Sequence, residues 1–353
     1  MTLDKRINSF VLLGRFLKQF ITHQKDTELS RLNEDFYTDF EELILRQKSY
    51  NGWFDKANVM EAIGAVSNLL THEVLSQWLS NYSISEKSPK NIGVIMAGNI
   101  PLVGFHDFLS VLITGNNLIV KLSSDDNTLL PKIVAILQTI DSDFKNRVNI
   151  VEKLEGFDAV IATGSNNSSR YFEYYFSKYP HIIRKNRNSV AIINENDISK
   201  DLKALGKDIF QYYGLGCRNV SKLYFPKNYN INYFFEAILD DYQEVINNNK
   251  YANNYDYNKA VYLLGKHKLL DNDFILLKED KAFSSPVGML YYEYYDDIYQ
   301  LEEELHQRKE EIQCVVSSPN TPLNTLAFGM AQFPALDDYA DGIDTIQFLL
   351  DLP

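Results

Sequence analysis

Apolar positions over residues 1 to about 82 recur at intervals of three and four, the spacing of amphipathic helices. The longest such stretch is WFDKANVMEAIGAVSNLLTHEVLSQWLSNY, residues 53–82. The chain turns at SEKSPKN and the pattern changes at Asn91. NIGVIMAGN reads as a strand, PLVGFHDFLSVLITGN as a helix begun by Pro101, NLIVKLS as a strand and LLPKIVAILQTI as a helix. Two further apolar runs follow, RVNIVEKL and FDAVIATGS. Short apolar strands alternating with helices predict βαβ units around a parallel sheet covered on both faces. The series recurs with SVAIIN, a helix through KDLKALGKDIFQYY, the loop GLGCRN and the strand SKLYFP. YNINYFFEAILDDYQEVI then reads as a helix, and FILLKE, GMLYYEYY and EIQCVVSS as strands. The Asn/Tyr-rich NNNKYANNYDYNKA, residues 247–260, reads as an exposed loop and a short helix start. The expected class is α/β, two doubly wound α/β domains behind an N-terminal helical region.

Composition narrows the function. With 353 residues, 45% hydrophobic and 23% charged, the chain is long enough for two domains and ordinary for a globular protein. Thirty-five Lys and Arg against 47 Asp and Glu give a formal net charge of −12, which opposes a nucleic-acid partner. The acidic run DDIYQLEEEL is most simply solvated surface. No apolar run approaches the length of a transmembrane segment, and Lys, Arg and Gln interrupt the N-terminal pattern, so no signal-peptide core is expected. Two cysteines, Cys217 and Cys314, make no disulfide framework and fit a reducing, cytoplasmic setting. Neither has a spaced His or Cys partner, so no metal site is expected.

Four places carry candidate chemistry. In GLGCRN, Gly214 and Gly216 free the backbone around Cys217, which can present both a sulfur and a backbone N–H; nucleophile and incidental loop cysteine both fit. Cys314, inside an apolar strand, reads as structural. Asn99 stands at the carboxyl end of the first strand, where its amide serves equally as an oxyanion donor or a helix cap. Lys121 ends the next strand and is followed by Ser123 and Ser124. Gly164 and Ser165 lie between a strand and a helix start, a place suited to dinucleotide phosphates, although no GxGxxG fingerprint is present.

Taken in order, these pieces resemble the aldehyde dehydrogenase superfamily. NIPL is similar to its WNFP turn, GNNLIVKLSS to GNTVVLKPSE, IATGS to FTGS, GLGC to the GQxC nucleophile loop and SSPVGML to FGPVLPV. GLGCRNVSKLYFP and the closing ALDDYADGIDTIQFLL look most like the long-chain acyl-CoA reductases that supply aldehyde for bacterial bioluminescence. The resemblance implies an N-terminal helical region plus dinucleotide-binding domain over 1–190, a catalytic domain over 191–320, and a C-terminal segment, 321–353, returning to the cofactor or oligomerisation region. It makes Cys217 the nucleophile, Asn99 and the Cys217 N–H the oxyanion donors, and Lys121 an adenosine-ribose contact. It places Ser123, Ser124, Gly164 and Ser165 at the cofactor.

Two departures from the superfamily point to reduction. Where aldehyde oxidisers carry the hydrolytic glutamate of ELGGK, this chain has IIRKNRNSVAII, with no acid. An acyl-cysteine that must wait for hydride is better served without that base. Ser124 replaces the glutamate that would grip the ribose of NAD, which favours NADPH over NADH, and Ala282 replaces the glutamate before FGPV. The expected function is reduction of a fatty acyl-CoA or other acyl thioester to the aldehyde with NADPH, through an acyl-cysteine. The alternatives are an acyl-phosphate reductase of the glutamyl phosphate reductase type and a catalytically silent dinucleotide-binding scaffold. His106 and His181 are candidate proton donors, each more often structural in such positions, and a homo-oligomer is expected by analogy. The tyrosine-rich RYFEYYF and GMLYYEYY could line an acyl channel or simply pack the core.

Overall fold

A computed structural model of the protein describes residues 1–318 and 321–353, so the expected boundary at 320 lies outside the described residues. Helices α1 (Leu3–Thr22), α2 (Ser30–Leu32), α3 (Thr38–Tyr50), α4 (Lys56–Leu69) and α5 (His72–Leu79) form the N-terminal region. The stretch 53–82 is not one long helix: it breaks at Leu70, and Thr71, in extended backbone, starts α5 by accepting the Val74 N–H. A side-chain oxygen that satisfies an orphan helix donor outweighs continuity of the apolar stripe. The longest helix is α1, whose buried face includes Phe10, Leu13, Phe16 and Leu17. Phe10 meets Phe108 and Phe144 edge to face at centroid distances of 6.2 and 5.8 Å, contacts worth about 1 kcal/mol each beyond their buried area.

The chain divides into two compact units, one comprising Met1–Lys185 with Ala335–Pro353 and the other Asn186–Pro334. In the first, strands β1 (Asn91–Ile95), β2 (Asn117–Lys121), β3 (Val148–Ile150), β4 (Ala159–Thr163) and β5 (His181–Arg184) make an all-parallel sheet in the order β3-β2-β1-β4-β5. Helices α6 (Phe105–Ile113), α7 (Leu129–Ile140) and α8 (Asn166–Phe176) connect the strands. The helix expected to begin at Pro101 starts four residues later, because Leu102 adopts a left-handed φ of 57° that an α-helix cannot contain. Helix α13 (Thr345–Leu350) joins this unit through Arg184, which bonds the Thr345 hydroxyl at 2.9 Å and Asp107 at 2.6 Å.

The second unit holds β6 (Asn188–Ile192), β7 (Val220–Pro226), β8 (Leu270–Asp271), β9 (Leu276–Glu279), β10 (Met289–Tyr295), β11 (Ile312–Ser317) and β12 (Leu326–Ala327), ordered β12-β11-β6-β7-β10-β9-β8. All pairs are parallel except β8 with β9. Its helices are α9 (Ser199–Phe210), α10 (Ile231–Tyr242), α11 (Asn249–Leu264) and α12 (Ile298–Gln307). Residues 247–260 correct the expected loop: they supply most of α11, capped by Asn248, with Tyr251, Tyr255 and Asn258 on its buried side. Asn there caps a helix instead of breaking one. Both units are parallel sheets with helices, the second carrying one antiparallel edge pair, and this is the α/β class expected. No helix among the described residues is long and apolar enough to cross a membrane.

Candidate active site

In open parallel sheets, ligands bind beyond the carboxyl ends of the strands, where the strand order reverses. In the first sheet that point lies between β1 and β4, which neighbour each other without being consecutive. Asn99 follows β1, while Gly164 and Ser165 follow β4. Lys121 ends β2 level with Ile95 of β1, and Ser123 and Ser124 follow it after Leu122. The fold therefore brings Asn99, Lys121, Ser123, Ser124, Gly164 and Ser165 to the carboxyl edge of one sheet.

The turn carrying Asn99 is held from beneath. Asp126 accepts the Leu102 N–H at 2.8 Å and so stabilises the left-handed residue that delays α6. Its carboxyl is buried, its Oδ1 has no hydrogen-bond partner, and burial raises its pKa to about 6. Ser165 caps α8 by accepting the Ser168 N–H at 3.2 Å, so the helix presents its positive end at the β4 edge. At Gly164 a Cβ would lie 2.8 Å from the Phe172 ring and 2.9 Å from the Ser168 Cβ, so only glycine lets strand and helix approach this closely. A helix N-terminus, a lysine and three serines fit the phosphates and hydroxyls of a dinucleotide. Among the described residues no group of three or more His, Cys, Asp or Glu side chains could hold a metal ion.

Cys217 belongs to the second unit, in the connection entering β7 and thus at the amino end of that sheet. Helix α9 ends at Phe210, and Tyr212, Tyr213 and Gly214 all follow with left-handed φ values of 53°, 59° and 76°. Glycine tolerates this conformation, while two tyrosines store strain in it. The next residues form a turn in which the Asn219 N–H donates to the Gly216 carbonyl at 3.0 Å, leaving half-buried Cys217 at its corner. The Asn219 side chain accepts the Gly216 N–H at 2.8 Å and donates to the carbonyls of Asp208 at 3.0 Å and Gln211 at 2.8 Å. The Arg218 guanidinium donates to the Ala331 carbonyl at 2.5 Å.

A second set of contacts reaches the turn from the sheet. Buried Ser189, on β6, donates its hydroxyl to the Cys217 carbonyl at 3.0 Å and lies 3.1 Å from Cys314 Sγ. The strands flanking Ser189 both shift register there, β11 between Ile312 and Val315 and β7 beside Ser189 and Val190. Such irregularities re-aim side chains at the ends of sheets. Cys314 is a different kind of thiol. Burial pushes its pKa up to about 11, against the opposing effects of Arg218 and the Ser189 hydrogen bond, so near neutrality it is protonated.

Asp208, fully buried in the last turn of α9, accepts the N–H groups of Gly329 at 2.6 Å and Ala331 at 2.9 Å. Burial raises its pKa to about 6 despite those bonds. It ties the segment 329–331 to the helix that leads into the Cys217 turn. Sequence reasoning misses Asn219, Ser189, Asp208 and Asp126. The faint signals are an aspartate placed at a helix C-terminus, where the dipole disfavours it, and an asparagine three residues after a glycine.

The two histidines do not gather at these edges. His106, half-buried, bonds the Leu336 carbonyl at 2.9 Å and packs against Trp78 and Tyr339, and desolvation lowers its pKa. His181 is the exposed first residue of β5, at the opposite end of its sheet from the Asn99 and Gly164 turns. The stretch without a hydrolytic acid carries Arg184, Lys185 and Arg187, paired with Asp107, Glu173 and Glu310. In RYFEYYF, Tyr171, Tyr174 and Tyr175 are exposed on α8. A cavity of about 30 Å³, room for one water, lies beside the Cys217 turn between Phe210, Tyr213, Gly214, Tyr251 and residues 285–290. No tyrosine of GMLYYEYY lines it.

Comparison with known proteins agrees with this fold. The family model described as acyl-CoA reductase (LuxC) matches residues 12–316. The long-chain acyl-protein thioester reductase of Aliivibrio fischeri is 23% identical over 273 residues, covering 67% of this chain and 56% of that protein. The long-chain acyl-protein thioester reductase 2 of Photobacterium leiognathi is 22% identical over 225 residues, 58% of this chain and 46% of that one. The chain thus spans about half the length of the curated relatives it matches. Among solved structures, aldehyde dehydrogenase 21 from Physcomitrella patens, in complex with succinate, superposes with a TM-score of 0.64 at 13% identity, covering 91% of this chain and 74% of that one. A Mycobacterium tuberculosis aldehyde dehydrogenase complexed with NAD+ gives 0.60 at 12% identity, covering 90% and 74%. The fold is that of the aldehyde dehydrogenases, and with the family model matching most of its length the chain belongs to the acyl-CoA reductase (LuxC) family.

Proposed function

We propose that the protein reduces a long-chain acyl thioester, acyl-CoA or an acyl-protein, to the fatty aldehyde through an acyl-cysteine on Cys217. The observation that carries this reading is the Cys217 turn, whose flanking backbone is tied on both sides while the thiol residue itself is only half buried. The names of the two thioester reductase relatives support the substrate class.

In this mechanism the Cys217 thiolate adds to the thioester carbonyl, and the oxyanion receives the Cys217 backbone N–H and the Asn99 amide. The carbonyl re-forms as the carrier thiolate leaves, and the acyl group stays on sulfur. Lys121, Ser123, Ser124, Gly164 and Ser165 would hold a reduced nicotinamide dinucleotide, whose chemistry would be to supply the hydride to the acyl carbon. The resulting thiohemiacetal collapses to the aldehyde and restores the Cys217 thiolate. Arg184, Lys185 and Arg187 supply no general base in the stretch where aldehyde oxidisers activate water, so the acyl-cysteine persists until reduced. Ser124 stands where the superfamily's ribose-gripping glutamate would be, so no carboxylate at that position repels a 2′-phosphate, which supports NADPH over NADH.

The reading is tested by following dinucleotide oxidation with long-chain acyl-CoA, an acylated carrier protein and an acyl phosphate in parallel. Turnover with the thioesters and aldehyde as product is expected. Turnover confined to the acyl phosphate would replace this function with that of an acyl-phosphate reductase.

A further inference from the structure

We propose that Asn219 is the positioning residue of the nucleophile turn, a single carboxamide that sets the direction in which Cys217 presents its sulfur and backbone N–H. The proposal rests on the acyl-cysteine reading and goes beyond it, since neither the motif nor the family resemblance assigns Asn219 a role.

The side chain is 2% exposed and works from both ends. Its oxygen accepts the Gly216 N–H at 2.8 Å. Its nitrogen donates to the Asp208 and Gln211 carbonyls at 3.0 and 2.8 Å, and to Ile209 at 3.4 Å. Between these anchor points lies the left-handed run Tyr212–Gly214, with two non-glycine residues in a conformation they rarely hold unaided. The carboxamide therefore closes a loop around the strained segment and fixes the residue directly before Cys217. Only an amide offers an acceptor on one side and two donors on the other; aspartate keeps the acceptor and loses the donors, and alanine loses both. A displacement of about 1 Å at a reacting atom costs roughly 10²-fold in rate, so the tether matters to attack more than to thiol exposure.

Asn219 also satisfies the last carbonyls of α9, so some loss of stability is expected in any variant, and the test must separate that from orientation. In the full chain, Asn219→Ala and Asn219→Asp are compared with the parent for thermal midpoint, for alkylation of Cys217 by iodoacetamide across pH, and for cofactor-free acylation of Cys217 by a long-chain acyl-CoA. Alkylation needs an accessible thiolate but no oxyanion geometry. The expected result is a lowered midpoint, alkylation within about three-fold of the parent, and acylation per alkylatable Cys217 down by about 10²-fold in the alanine variant and at least about ten-fold in the aspartate variant. The isosteric aspartate variant supplies the same comparison if the alanine variant does not fold. Acylation per alkylatable thiol equal to the parent's in both variants would overturn the positioning role alone. A parent chain that is alkylated but never acylated would overturn the acyl-cysteine reading, and this role with it.

Discussion

The Ser189 hydroxyl donates to the Cys217 carbonyl oxygen at 3.0 Å, while its own oxygen stands 3.1 Å from the Cys314 sulfur. One buried serine thus touches both cysteines of the chain, Cys217 at its backbone carbonyl and Cys314 at its sulfur. Cys217 sits half buried at a turn corner, and Cys314 lies behind it with its thiol held protonated by burial. Every expectation below about the chemistry follows from that asymmetry or from the strand ends of the first sheet.

Selective alkylation should follow it. With a pKa near 11, Cys314 is thiolate in only about one molecule in 10³ at pH 8. Limiting iodoacetamide at that pH is expected to modify Cys217 first and to abolish reduction. Cys217→Ser should be inactive, and Cys314→Ala should keep most activity while losing about 1–2 kcal/mol of stability. Peptide mapping that found Cys314 labelled first would contradict the assignment.

Asn99→Ala should lower turnover by about 10²- to 10³-fold, the usual cost of one oxyanion donor, with little change in thermal midpoint because Asn99 is exposed. Steady-state kinetics beside a melting curve checks both halves of this expectation. Unchanged turnover would remove Asn99 from the site.

Ser124→Glu should shift dinucleotide preference towards NADH, by roughly ten-fold in the ratio of kcat/KM values, by placing a carboxylate at the end of β2. The parent is expected to prefer NADPH. A variant that left the ratio unmoved would place the 2′-phosphate elsewhere.

Stability should carry a pH signature from two buried carboxyls. Asp126 and Asp208 both have pKa values raised from 3.8 to about 6, chiefly by burial. A raised folded-state pKa means the folded form binds protons more tightly. The contribution is therefore fully present below about pH 4 and is lost as pH rises through about 6; each is on the order of 3 kcal/mol. Carboxylates such as Asp143 and Glu173, whose pKa values are lowered by Lys5 and Lys185, act in the opposite sense. The test is therefore a difference: denaturant midpoints of Asp126→Asn and Asp208→Asn between pH 4 and 7 should lose part of the parent's decline with rising pH. Parallel curves would refute the assignment.

The strand ends are legible in the sequence because parallel βαβ units print themselves as short apolar runs separated by glycine and asparagine turns. The apolar pattern alone places Asn99, Lys121 and Gly164, since a strand end is a one-dimensional landmark. The turn at Leu102 leaves no such mark, because its left-handed backbone depends on Asp126, twenty-four residues away in sequence. Nor does helix α11, whose tyrosines and asparagines have poor helix propensity and are rescued by burial of Tyr251 and Tyr255. The supports of Cys217 are the least visible. Ser189 and Asp208 are ordinary polar residues in a strand and a helix, and their purpose exists only once β6, α9 and the 329–331 segment meet the turn.

The central claim is a covalent one, and intact mass spectrometry with peptide mapping addresses it most directly. Incubated with a long-chain acyl-CoA and no dinucleotide, the protein is predicted to gain one acyl group, located on Cys217 and released as aldehyde when reduced dinucleotide is added. An unmodified chain, or an acyl group found on Cys314 instead, would contradict the account.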